Sequence, residues 1–158
     1  MIRTALTWLR SRPARIGAVI DSESVRPFQV FVYCCYAIGG VQSMRLGLPG
    51  AVANALGDGM HVVWTWMLVL GPVLTFVGMA LERRWVPGLW LQFTGDGVVG
   101  WASLAYVYSI SQQNYSSRAQ FAAYAVGSLT LAAFTMCVRD IRKIRFVVKQ
   151  VGAMGPEQ

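Results

Sequence analysis

Four stretches of the chain are predominantly apolar: 28–46, 60–81, 88–110 and 119–138. Each is close to the roughly 20 residues that a helix needs to cross the hydrocarbon core of a bilayer. Pro27 opens the first stretch, and proline is tolerated in a helix's first turn. Leu48-Pro49-Gly50 interrupts the chain after it, and 51–56 predicts a short interfacial helix. Pro87-Gly88 separates the second stretch from the third, and 111–117 separates the third from the fourth. Pro72, inside the second, predicts a modest kink of the kind membrane helices accommodate. The pattern predicts an all-α, polytopic integral membrane protein. A four-helix transmembrane domain over 27–138 follows a basic segment, 1–26, and precedes a basic tail, 139–158.

The third stretch is the least uniform. Gln92, Asp96, Gly100 and Ser103 follow one another at spacings of 4, 4 and 3, so they share a helical face, while Leu91, Phe93, Val98, Trp101 and Tyr108 lie opposite. A carboxyl facing lipid costs several kcal/mol, so the polar stripe is expected to face other helices or a wet cavity. With the span centred near Val99, Asp96 falls about 4–5 Å from the midplane at 1.5 Å per residue. Thr75 and Thr130 fall at similar depth, with no Lys, Arg or His expected at that level. Such an acid is expected to be neutral and to donate a hydrogen bond, with Thr75, Thr130 or a neighbour's Gln92 as its partner. The alternative reading gives Asp96 a role in proton binding or pore lining.

Charge sets the orientation. Hydrophobic residues make up 55% of the 158 positions and charged residues only 13%, about half the usual share for a soluble domain, and mean hydropathy is +0.46. Arg3, Arg10, Arg12, Arg15 and Arg26, the pair Arg83 and Arg84, and the tail's Arg139, Arg142, Lys143, Arg145 and Lys149 fall on one side of a four-span layout. Only Arg45 and Arg118 fall on the other. The positive-inside rule then places both termini in the cytoplasm, with Trp85 and Trp90 at the inner interface and Trp64 and Trp66 toward the outer one. The first segment, with Ile2, Leu6 and Leu9 on one side and Arg3, Thr7 and Arg10 on another, reads as a surface amphipathic helix ending at Pro13. It has neither the apolar core of a secretory signal nor paired arginines. In the tail, Ile141, Ile144, Val148 and Val151 share one face, and Arg142, Arg145 and Lys149 another. Arg142, Lys143, Arg145 and Lys149 are therefore expected to bind anionic lipid. Nucleic acid is not expected as a partner, since no separate domain presents a groove-reading element.

The remaining motifs carry little chemistry. Asp58 and His61, three apart, lack further metal ligands, and Asp58 is better read as a helix cap. Cys34, Cys35 and Cys137 lie in apolar segments without a disulfide or metal spacing. Gly57-Asp58-Gly59 and Gly95-Asp96-Gly97 echo each other, as an inverted repeat would. Ala119, Ala123 and Gly127 recur every four residues, a spacing that lets helices approach closely, with the partner either in this chain or in a second copy. Asn114-Tyr115-Ser116 matches a glycosylation sequon on the outer side. No nucleophile–base pair, paired catalytic carboxylates or phosphate loop is present, so neither an enzyme nor a cofactor is expected, and no small-molecule substrate is implied.

This layout, a short polytopic chain with one polar intramembrane stripe and a charged cytoplasmic tail, resembles the small four-span membrane proteins and holins of actinobacterial phages. The resemblance covers the general plan of the whole chain and matches no family motif, so it assigns no functional residue. It implies a protein of the bacterial host's cytoplasmic membrane that oligomerises and, if a holin, permeabilises that membrane at lysis. The expectations are thus a holin-like lesion former, a small proton-linked channel or transporter subunit using Asp96, or a structural protein that modifies the host membrane.

Overall fold

The computed structural model describes residues 25–47, 50–57, 59–82, 86–112 and 118–153. The basic segment 1–24, Asp58, Arg83, Arg84, Trp85 and the sequon at Asn114 lie outside the described residues. All elements are helices: α1 Val25–Leu46, α2 Gly50–Leu56, α3 Met60–Leu81, α4 Val86–Ser111 and α5 Arg118–Ala153. No strand occurs among the described residues. Local chemistry sets several of the ends. Pro27 and Pro87 sit in the first turns of α1 and α4, where a missing amide hydrogen costs nothing. Gly47 (φ 87°) and Gly57 (φ 70°) follow the ends of α1 and α2 in the left-handed conformation that terminates helices.

Two helices are long and apolar enough to cross a membrane, α3 and the part of α5 from Phe121 to Gln150. α1 and α4 have comparable length, at 22 and 26 residues. Their apolar runs are diluted by Gln29, Gln42 and Arg45 in α1 and by Gln92, Thr94, Asp96 and Ser103 in α4. The tail does not form a separate surface helix. α5 runs unbroken through position 139 for 36 residues, about 54 Å at 1.5 Å per residue, because nothing between Val138 and Ala153 breaks a helix.

α4 is the centre of the packing, with α3 and α5 antiparallel to it and α1 parallel. α3 and α4 meet along a seam of glycines spaced seven apart, Gly71 and Gly78 on one helix and Gly88 and Gly95 on the other. A Cβ added at Gly78 would lie 2.5 Å from the Gln92 amide nitrogen and 2.8 Å from the Gly88 carbonyl. The two backbones are therefore in direct contact, which small residues alone permit. α1 packs on α3 where Gly40 meets Leu68 and Val69. α5 packs on α4 where Phe134 covers Gly100. α2 plugs the end of the α3–α4 seam with Val52, fully buried against Trp64, Leu68 and Ala102.

Trp64 departs from its expected place in an aromatic belt. It is 6% exposed, and its indole donates to the Ala102 carbonyl at 2.8 Å. Trp66, by contrast, is half exposed. The two glycine–aspartate–glycine triplets also part ways. Gly57 and Gly59 both have positive φ in the link between α2 and α3, whereas Gly95-Asp96-Gly97 is interior to α4, so they are not copies of one unit.

Candidate functional site

The stripe on α4 turns inward, with Gln92, Asp96, Gly100 and Ser103 all buried, while Trp101 and Tyr108 on the other face are exposed. Its partner helix is α1. Gln29 Nε2 donates to both Asp96 oxygens at 3.0 and 3.1 Å, and Tyr36 Oη pairs with Ser103 Oγ at 2.7 Å. Both contacts join residues 67 apart, the signature of two parallel helices held in register. Thr75 of α3 adds a third donor, Oγ1 to Asp96 Oδ1 at 2.9 Å. Thr130 does not join them. Its hydroxyl donates back to the Val126 carbonyl of its own helix at 2.9 Å, the usual resort of a threonine without an interhelical partner.

Asp96 therefore accepts hydrogen bonds from Gln29 and Thr75, as a neutral carboxyl does as well as a carboxylate. The orientation of Gln29 settles the direction. Arg139 Nη2, which can only donate, lies 3.5 Å from Gln29 Oε1, so the amide's NH2 group faces Asp96. Arg139 also corrects the expectation that no cation reaches this level. It is 2% exposed rather than part of a solvated tail, and its Nε bonds Asp140 Oδ1 at 3.1 Å. A guanidinium has the reach to leave a helix's outer turn and enter the centre of the bundle, and its planar fork serves Gln29 and Asp140 together. Asp140 is fully buried as well.

The result is one polar centre drawn from four helices: Gln29 and Tyr33 from α1, Thr75 from α3, Gln92 and Asp96 from α4, and Arg139 and Asp140 from α5. Among the described side chains, three buried oxygens in it have no hydrogen-bond partner: Tyr33 Oη, Gln92 Oε1 and Asp140 Oδ2. A second, wetter network caps the same end of the bundle. Glu82, just past α3, takes Arg26 of α1 at 3.2 Å and Lys143 of α5 at 3.0 Å. Lys143 is thus engaged in an ion pair, whereas Arg142, Arg145 and Lys149 are exposed. Thr75 is seven residues before Glu82, roughly 10 Å along the helix, so the buried centre lies close to this charged end.

Toward the other end the bundle is apolar. A groove of about 400 Å³ opens between α1 and α5, walled by Phe31, Cys35, Tyr36, Trp64 and Tyr106. A cleft of about 30 Å³ continues along the same seam to Gln29 and Tyr33. The small-residue repeat on α5 lies outside this packing. A Cβ at Gly127 would meet nothing within 4 Å, Ala123 is half-buried, and the Ala119 side chain lies outside the described residues. His61 Nδ1 lies 3.3 Å from the Gly57 carbonyl oxygen, and the residue lines an opening of about 390 Å³ with Ser43, Thr65 and Trp66.

Sequence reasoning missed Gln29, Tyr33 and Asp140. Gln29 was legible in principle, as a polar residue one turn into an apolar stretch; Asp140 was masked by the basic residues around it. Comparison with protein-family models, with curated proteins and with solved structures finds no match for this chain.

Proposed function

We propose that this chain is a four-span protein of the cytoplasmic membrane, with both termini inside, and that it works as a small proton-linked channel or transporter unit. The observation that carries the reading is the buried centre itself: two buried carboxyl groups, Asp140 paired directly with the Arg139 guanidinium and Asp96 linked to it through the Gln29 amide, at the junction of four helices. Ionisable groups at membrane depth are costly, and they mark ion and proton pathways more often than they mark structural glue. Twelve basic residues on one side against two on the other support the orientation.

A holin-like lesion would need the α4 stripe to line water between subunits. Here the stripe is occupied by Gln29, Thr75 and Tyr36 of its own chain, which favours the proton-linked reading over permeabilisation. The groove between α1 and α5 is apolar, so conduction requires α1 to move off α5, or an oligomer, to hydrate the centre. Homo-oligomers in a membrane containing anionic lipid are the expected working form.

The test is proton flux into proteoliposomes that enclose a pH-sensitive dye, driven by a potassium diffusion potential. Wild type is expected to pass protons, and Asp96→Asn to lose most of that flux while still inserting. Asparagine turns an amide NH2 toward the Gln29 and Thr75 donors, so it is not a silent replacement. Absence of flux from wild type, or full flux from Asp96→Asn, would refute the proposal.

A further inference from the structure

We infer that Asp140, rather than Asp96, carries the exchangeable proton of this centre, an inference that rests on the proton-linked reading and sharpens it. The two carboxylates are equally buried but differently served. Asp96 receives the Gln29 amide on both oxygens and the Thr75 hydroxyl on Oδ1. Asp140 receives Arg139 on Oδ1 only, and its Oδ2 is buried without a partner.

The groups around Asp140 explain why none of the described donors serves its Oδ2. On its own helix, Arg139 is spent on Oδ1 and Gln29, and Lys143 is held by Glu82. From α1, Arg26 also goes to Glu82, and the Gln29 amide goes to Asp96. From α4, Asp96 brings a second carboxyl, and Gln92, one turn from it on the same face, has an Oε1 without a partner among the described residues. Cys137, one turn earlier on α5, has its Sγ 3.7 Å from the Phe93 carbonyl. That contact fixes the register and sets Asp140 near the level of Gln92 and the charged end of the bundle.

A buried acceptor without a donor carries the full cost of its lost hydration. Two buried acids beside one buried base leave one negative charge without a buried partner; the surplus cation of the Arg26–Glu82–Lys143 network lies in the part-exposed end of the bundle, where water screens it. One proton answers both. Its addition to Oδ2 makes an O–H bond and takes Asp140 from −1 to 0. It leaves the Arg139 bond to Oδ1 in place and turns an orphaned acceptor into a donor, in a centre where Gln92 Oε1 and Tyr33 Oη also lack partners. Release to the Glu82 end restores the carboxylate. Asp96 keeps its amide and hydroxyl donors throughout.

Infrared difference spectroscopy of the full chain in lipid nanodiscs, recorded across a pH jump, reads protonated carboxyls directly. Wild type is expected to show one protonated-aspartate carbonyl band that titrates. Asp140→Asn should abolish it, Asp96→Asn should retain it, and Gln92→Leu should shift its frequency without removing it. If Asp140→Asn does not insert, Asp140→Glu serves instead, and the band should move to the position of a glutamic acid. A titrating band that survives Asp140→Asn, stays fixed in Asp140→Glu, or vanishes only in Asp96→Asn overturns the assignment. The spectrum is independent of flux: loss of flux in wild type would refute the transport reading while leaving the location of the proton measurable.

Discussion

Replacing Gly95 by alanine tests the architecture that brings these groups together. The added methyl would lie 2.6 Å from both the Gly71 carbonyl oxygen and the Thr75 amide nitrogen, and it would also meet Thr75 Oγ1. Comfortable separations between such atoms are about 3.5 Å, so the shortfall is about 0.9 Å against backbone that cannot rotate away. α3 and α4 must separate. Overpacking of this kind costs about 1–3 kcal/mol, and loss of the Thr75–Asp96 hydrogen bond adds about 0.6 kcal/mol. The expected destabilisation is thus about 1.6–3.6 kcal/mol, partly offset by alanine's better helix propensity, worth up to about 1 kcal/mol. Unfolding in mixed micelles with increasing dodecyl sulfate, followed by tryptophan fluorescence, measures it. Gly127→Ala is the control, because its Cβ meets nothing within 4 Å. Gly100→Ala should fall between them, since it meets only the Phe134 ring at 3.1–3.3 Å. If Gly95→Ala proves as stable as Gly127→Ala, α3 and α4 do not meet at this seam, and the register that brings Thr75 to Asp96 is wrong.

Two further outcomes follow from the charged groups. Changing Arg142, Arg145 and Lys149 together to glutamine should weaken association of the C-terminal part of α5 with anionic vesicles, most visibly at low salt. Adding Lys143→Gln should instead lower stability, because it strips Glu82 of one of its two partners; equal vesicle binding by wild type and the triple variant would remove the lipid-binding role. For topology, reporter fusions after Lys149 and near Arg84 should signal the cytoplasm, and fusions at Pro49 and Asn114 the outside. An outside signal at Arg84 would overturn the four-span proposal.

What one helix's pattern can state, the sequence stated well. The helical segments, the prolines that open α1 and α4, and the inward turn of Gln92, Asp96, Gly100 and Ser103 all follow from apolar length, turn chemistry and 3.6-residue periodicity. The same periodicity is blind to which helices meet and at what offset. Nothing in the order of residues ties Gln29 to Asp96; that pairing exists because α1 and α4 lie parallel at an offset of 67 residues. The choice between two small-residue patterns was tertiary too. Glycines seven apart on both α3 and α4 fit one another, whereas Gly127 on α5 has no facing surface in this chain. Arg139 shows the limit most plainly. In sequence it heads a basic run and reads as solvated, yet in the fold it is buried between Gln29 and Asp140. A guanidinium is stable there because Asp140, the next residue, and Gln29 of α1 supply its acceptors; the first is local, but the second is brought to it by packing and not by the run of residues.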